Sequence, residues 1–409
     1  MTKNFFSKYF LFPLLSIYPI SILIGNLAIN LNIFLISILF ILGFVLKKFD
    51  FKNQSLSIYL ILFFLLTLIV NLYFSKDIIL SYPRVIKIFF IIFFISSFAW
   101  LLNNSEKKNL NLLYKIWSII FIFVIFDLII EFINGKNILG YSSIFPGKRL
   151  ASFTGKESVI GNYYLGFVLI FLSVSRLYIK NKYLNLILVL FLIFISFLIG
   201  ERSNFIRTLI ICVSYTFIIY EAKVWIKTIS FFFLVVSFIA ILNFNQSYKT
   251  RYYNEIALIF ESGLTSYLEN TNYGAHRNVA YEIFKDNPVF GVGIKNFRIE
   301  SANSKYDNLN HKQNHLRVST HPHELYYEFI SETGLVGLLS FIIFIFLSLY
   351  FSIKNYLKYQ NIFQLSAILF IISAILPVLP TGSFLSTYSS SIFWLNYAIM
   401  MGYNRVIKY

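Results

Sequence analysis

The chain is predicted to be an all-α polytopic membrane protein with about twelve transmembrane helices and one large outer loop carrying short helices. Three observations predict it. Of 409 residues, 58% are apolar and 13% charged, and the mean hydropathy is +0.71, more apolar surface than one soluble core can hide. Apolar runs of roughly 17–25 residues, long enough to cross a bilayer as helix, recur from end to end. The 48 Phe, with many Ile and Leu, show no strand-like alternation. Backbone in lipid must pair within its own segment, so helices are favoured over a barrel.

In order, the spans are expected at 9–26, 29–46, 56–74, 83–102, 110–133, 158–178, 183–200, 203–220, 224–243, 323–351, 361–379 and 386–403. Pro13 and Pro19 make the first irregular, and eleven spans is the other count that fits. The basic start of the chain has no small-x-small cleavage site, so the first span reads as uncleaved. Residues 1–243 then hold nine helices with an outer loop at 134–157, residues 244–322 form the large outer loop, and 323–409 hold the last three helices. The single cysteine, Cys212, forbids an intramolecular disulfide and reads as packing.

Positive charges orient the spans. With the N-terminus cytoplasmic, the inner segments hold Lys3 and Lys8; Lys47, Lys48 and Lys52; Lys107 and Lys108; Arg176, Lys180 and Lys182; Lys223 and Lys227; Lys354 and Lys358; Arg405 and Lys408. The net charge of +17 is then mostly a topology signal, and no nucleic-acid partner is implied. Both termini fall in the cytoplasm. Arginines on the opposite side run against the bias: Arg84, Arg149, Arg202, Arg207 and Arg277. An anionic ligand is a natural reason for them.

Within the large loop a short helix is expected at 275–287, with Val279, Ala280, Ile283 and Phe284 on one face. Pro288 ends it, and Gly291 and Gly293 turn the chain. The helix is expected on the membrane surface or capping a cavity between spans. Arg277 falls in its first turn, where a cation is disfavoured and a partner is invited; a solvated surface arginine is the other reading. Arg202 follows Gly200 and Glu201 at a span end, with Ser203 or Asn204 available as cap. It pairs with Glu201, snorkels to headgroups, or serves a ligand.

The segment His321-Pro322-His323-Glu324 stands at the mouth of the tenth span, where histidines are among the few groups able to move protons near neutral pH. His323 is expected to begin the helix, with Glu324 complementing its positive end. Interfacial capping is the alternative, and it is the reading for His276, His311 and His315. His321 and His323 lack the i, i+4 spacing of helical zinc ligands. No metal, ATP or dinucleotide motif is present, so no cofactor is implied.

Four pieces over roughly 140–380 resemble the superfamily of O-antigen ligases and O-antigen polymerases. They are Arg149-Leu-Ala-Ser-Phe-Thr-Gly-Lys-Glu157 running into Gly161; Gly200-Glu-Arg-Ser203; Arg277 through Asp286-Asn-Pro-Val-Phe-Gly-Val-Gly-Ile294; and His321-Pro-His-Glu to Glu332-Thr-Gly-Leu-Val-Gly337. Glu324 stands where that family usually carries Asn. The resemblance implies a GT-C-like fold in the bacterial inner membrane with its active site facing the periplasm. It implies a polyprenyl-diphosphate-linked glycan donor and transfer to an acceptor hydroxyl, on lipid A–core for a ligase or on a growing glycan for a polymerase. In that reading His323 is the general base, and Arg202 and Arg277 stabilise the leaving diphosphate without a metal. Arg84, Arg149, His321 and Glu324 contact substrate, and membrane lipids surround the whole. A transporter or flippase for anionic solutes is the other class, to which Asp127 and Glu131 in one span would belong.

Overall fold

The computed structural model describes residues 10–49, 55–157, 159–253, 263, 265–266 and 268–405. Lys3, Lys8, Lys52 and Lys408 of the orienting set lie outside them, as does the start of the first expected span. The described residues contain helices and no strands.

The first span is broken, as its prolines require. Pro13 and Pro19 sit in the opening turns of two short helices, α1 (Phe12–Ser16) and α2 (Tyr18–Ile24). Long helices follow: α3 (Asn26–Val45), α4 (Ser55–Tyr73), α5 (Ile78–Asn104), α6 (Lys107–Asn134), α7 (Ile160–Tyr178), α8 (Lys182–Ile199), α9 (Arg202–Ile219) and α10 (Val224–Phe244). After the loop segment come α11 (Asn272–Asp286), α12 (Leu325–Tyr359), α13 (Ile362–Ala374) and α14 (Thr387–Gly402). Among the described residues, eight helices are long and apolar enough to cross a membrane; α4 and α13 are shorter apolar helices. The fifth helix starts five residues earlier than the expected 83, because Asp77 caps it through the Ile79 N–H at 2.8 Å and Pro83 is tolerated near its start. The tenth expected span runs on to Tyr359 and is interrupted at Gly334.

Packing follows the apolar faces: α14 lies against α5 and α13, α12 against α4, α3 against α5, and α6 against α7. Buried aromatics, Trp100, Trp117, Trp394 and Tyr397 among them, fill the centre. Cys212 is fully buried there. Helix α10 is peripheral, with only Lys227, Leu234 and Phe238 buried along it.

Two ends of the bundle differ in chemistry. At one, Asn355 and Gln364 hydrogen-bond to each other and to the chain around Tyr403 and Asn404, near the basic helix ends. At the other end, backbone bonds join Thr381 to His323 at 2.9 Å and Leu150 to Ile199 at 3.0 Å. All of the candidate histidines and arginines gather at this second end.

Candidate active site at the loop-bearing end

Asp127 and Glu131, near the end of α6, organise the first loop. Glu131 accepts the Ala151 N–H at 3.0 Å and the Ser152 N–H at 2.6 Å. Asp127 accepts the Ile138 N–H at 2.8 Å and the Ser152 hydroxyl at 2.6 Å. These carboxylates answer buried backbone donors, so a solute-coupling role has no support from their geometry. Their grip sets Arg149, whose guanidinium lies 5.2 Å from the Phe145 ring and whose buried Nε has no hydrogen-bond partner.

Gly200 ends α8 in the left-handed conformation (φ 79°) and lets the loop pass: a Cβ there would lie 2.1 Å from the Lys148 carbonyl oxygen. Glu201, rather than Ser203 or Asn204, stands at the cap position of α9 and caps no N–H with its side chain. Its carboxylate instead accepts the Gly161 N–H of α7 at 2.7 Å and the Asn204 amide at 2.7 Å. Burial pushes its pKa up, against the pull of those donors and of Arg149 and Arg251. Arg202 reaches the Arg251 carbonyl at 3.4 Å.

The end of α13 and the 375–386 segment connecting it to α14 are held by arginines. Arg207 is buried and donates to the carbonyls of Ser373 (3.0 Å), Leu379 (3.1 Å) and Pro380 (3.2 Å). Arg277 donates to the Val378 carbonyl at 2.6 Å and lies 5.8 Å from the Tyr327 ring. Because Thr271 caps α11 and the helix begins at Asn272, Arg277 falls in the second turn, not the first. The dipole argument for a partner therefore lapses, and backbone carbonyls supply one. An anionic ligand is not needed to explain Arg207. Arg84 donates to the Thr387 hydroxyl at 3.2 Å, on the α14 side.

Pro322 and His323 precede α12, and Glu324 is its N-cap, accepting the Tyr327 N–H at 2.9 Å. His323 therefore does not begin the helix; it sits just before the N-cap, at φ 58°, a left-handed value uncommon for a residue that carries a side chain. Glu324 thus fills the capping role that an Asn at this position would also suit. Burial raises the Glu324 pKa.

His323 belongs to a cluster that the sequence did not reveal. Its ring centroid lies 4.0 Å from His321, 5.2 Å from His276 and 5.6 Å from Tyr273. His276 is buried on α11 and its Nδ1 has no partner, so it is no interfacial cap. His311, by contrast, packs within the loop through the Leu268 carbonyl at 3.2 Å. Both His321 nitrogens are engaged, Nδ1 with the Thr320 hydroxyl at 2.9 Å and Nε2 with the Thr381 carbonyl at 3.3 Å. His323 Nε2 meets only the Ser319 hydroxyl, at 3.3 Å.

Burial, then His321 and His276, pushes the His323 pKa down to about 3; burial and Lys295 push His321 to about 4. Neither lies near neutrality, the sequence expectation. Both rings are therefore neutral at pH 7, which leaves an imidazole lone pair free to accept a proton. The sign of the linkage follows. Above pH 6.5 neither folded nor unfolded imidazole is charged; below it the unfolded chain takes protons that the folded rings refuse. Thermal stability in detergent is expected to fall as pH drops from 6.5 towards 4, and less so in His321→Gln/His323→Gln. Equal slopes for both proteins would refute the buried neutral pair.

A cavity of about 320 Å³ joins these parts. Its polar wall includes Arg149, Glu201, Asn204, Tyr273, His321 and His323; its apolar wall includes Leu165, Phe370, Phe384 and Phe393. Arg202, Arg277, Arg84 and Glu324 lie beside it and are not among its lining residues. Helix α11 caps it through Tyr273, with Val279, Ala280 and Ile283 of the expected apolar face buried in a small satellite core and Phe284 only half-buried beside them. No group of His, Cys, Asp and Glu among the described residues has a metal-holding arrangement.

Fold and cavity together define a polytopic helical membrane protein with an amphipathic, histidine- and arginine-bearing site at one end. The family model for O-antigen ligase matches residues 186–342, from within α8 to just past the Gly334 break in α12, so this stretch of the chain is similar to that family. The match includes Arg202, Arg277, His321, His323 and Glu324, and leaves Arg84 and Arg149 outside. A search of curated proteins found no match.

Proposed function

We propose that the protein is a membrane glycosyltransferase that moves a glycan from a polyprenyl diphosphate to an acceptor hydroxyl, as an O-antigen ligase with lipid A–core as acceptor. The observation that carries this reading is the cavity itself. A neutral His323 stands in one space with Arg149 and with an apolar wall suited to a lipid-linked donor. The acceptor oxygen attacks the anomeric carbon, its proton passes to His323, and the bond from that carbon to the diphosphate oxygen breaks with its electron pair leaving on the diphosphate. Guanidinium groups stabilise the charge gathering there. Direct displacement inverts the anomeric centre and needs neither ATP nor a protein nucleophile. An anion seated beside the imidazole would also favour its protonated form, raising the basicity of His323 when donor is bound.

The positive-inside bias supports an inner membrane in which this end faces the periplasm. Deleting the gene and resolving lipopolysaccharide on a gel tests the reading. A ligase predicts free core with lipid-linked polymer accumulating. Core carrying a single repeat would instead mean a polymerase, whose acceptor is a growing glycan, and unchanged glycans would refute both.

A further inference from the structure

The loop between α6 and α7 turns the usual loop chemistry inside out. Asn137 and Ser143 are buried, whereas Ile138, Leu139, Tyr141, Ile144 and Phe145 are 43% to 61% exposed. The arrangement is built into the backbone. The Asn137 side chain donates to the Ser152 carbonyl at 2.8 Å and accepts the Tyr141 N–H at 2.8 Å, and its own N–H donates to the Tyr141 carbonyl at 2.9 Å. Asp127 holds the Ile138 N–H at 2.8 Å, and the Lys148 and Arg149 N–H groups both close on the Phe145 carbonyl at 3.0 Å. Large apolar side chains are thus presented outward on a fixed frame, which water disfavours.

Two observations say what covers them. The patch continues the exposed face of α6, where Ile119, Ile122, Phe123, Phe126 and Ile133 follow helical spacing, and the loop takes over where that stripe ends. A spanning helix turns such a face to lipid. The residues from 137 to 147 carry no charge, and an exposed lysine stands at each end, Lys136 and Lys148. Aliphatic and aromatic side chains bracketed by lysines match the headgroup layer of a bilayer, where rings and chains bury and ammonium groups meet phosphates.

We propose that residues 136–148 form an interfacial anchor that lies in the headgroup layer of the leaflet at the loop-bearing end, with Ile138, Leu139, Tyr141, Ile144 and Phe145 among lipid and Lys136 and Lys148 on lipid phosphates. The partner is a lipid surface, not a protein. Phe145 ties the anchor to the cavity: its ring lies 5.2 Å from the guanidinium of Arg149, a residue of the cavity's polar wall. The anchor therefore sets the Arg149 side of the cavity at headgroup depth.

The test places Leu139→Cys, labelled with a nitrobenzoxadiazole dye, in the full-length protein in nanodiscs of phosphatidylethanolamine and phosphatidylglycerol. Quenching is read with doxyl-labelled lipid from the membrane side and with iodide from the water side. Cys212 is fully buried, so the wild type serves as the labelling blank. Ile122→Cys, on the exposed face of α6, reports lipid, and Ala302→Cys, exposed in the large loop, reports water. The dye at 139 is expected to be quenched by doxyl lipid about threefold more strongly than at 302 and to be shielded from iodide. Quenching by iodide to the extent seen at 302 would overturn the anchor. Shielding from both quenchers would overturn it as well, in favour of a second copy or another protein covering the loop. Melting curves show which variants are folded, and Ile144→Cys, read in the same way, decides should Leu139→Cys not fold.

Discussion

His323→Ala is expected to lower polymer transfer about 10²–10⁴-fold, the range for loss of a positioned general base. The protein should still insert and fold, because the ring is only partly buried and its neighbours are anchored elsewhere: Thr381 bonds to the His323 backbone, and His321 to Thr320 and Thr381. His321→Asn keeps hydrogen-bonding capacity at a position whose ring nitrogens are both engaged, so a loss of less than about tenfold is expected there. The two variants separate proton acceptance from scaffolding. Transfer is measured on membranes with a lipid-linked donor and a core acceptor, with the melting temperature recorded in parallel. Wild-type turnover in His323→Ala, or equal losses at 321 and 323, would remove His323 from the chemistry.

The helical class and most helix positions were legible in the sequence because a long apolar run has few other physical solutions. So was most of the amphipathic face of α11, since Val279, Ala280 and Ile283 follow the 3.6-residue period and are fully buried, while Phe284, expected on the same face, is only half-buried. Side-chain partners were not legible. The arginines that oppose the charge bias looked alike in one dimension, yet Arg207 spends its guanidinium on three carbonyls at the end of α13 and in its connection to α14, while Arg149 keeps an unpaired Nε. Telling them apart requires knowing where a segment more than 160 residues away passes, which periodicity does not carry. His276 hid for the same reason: its distance from His323 in sequence conceals a 5.2 Å ring separation.

Gly334→Ala is expected to destabilise the protein by about 3 kcal/mol and to abolish activity without touching the cavity. At φ 63° and ψ −165° this residue occupies a region essentially closed to side chains, and it divides α12 in two. The break lets the chain after α11 lie against it. Val292 N–H donates to Ser331 at 3.0 Å, Gly293 to Glu332 at 2.9 Å, Leu335 to Pro288 at 2.9 Å and Val336 to Val289 at 3.1 Å. A Cβ on Gly334 would stand 2.4 Å from the Val289 carbonyl, which is backbone and cannot swing away. The two glycine-bearing motifs of the sequence are therefore one joint. Beyond it, Lys295 N–H meets Glu332 at 2.8 Å and Lys295 Nζ meets Ser383 at 2.6 Å, while Glu328 accepts from Ser383 and from the Phe384 N–H. Phe384 is a wall of the cavity. Opening the joint thus moves both α11 with its Tyr273 and the opposite wall, so stability and transfer should fall together. Gly135→Ala gives the milder comparison: at φ 72° and ψ 0° it is left-handed helical, which a side chain tolerates, a Cβ meets nothing within 4 Å, and about 1 kcal/mol is expected. Melting curves of the two variants in the same detergent decide the matter, and equal shifts would show that neither the closed backbone region at Gly334 nor its Val289 contact adds to the cost.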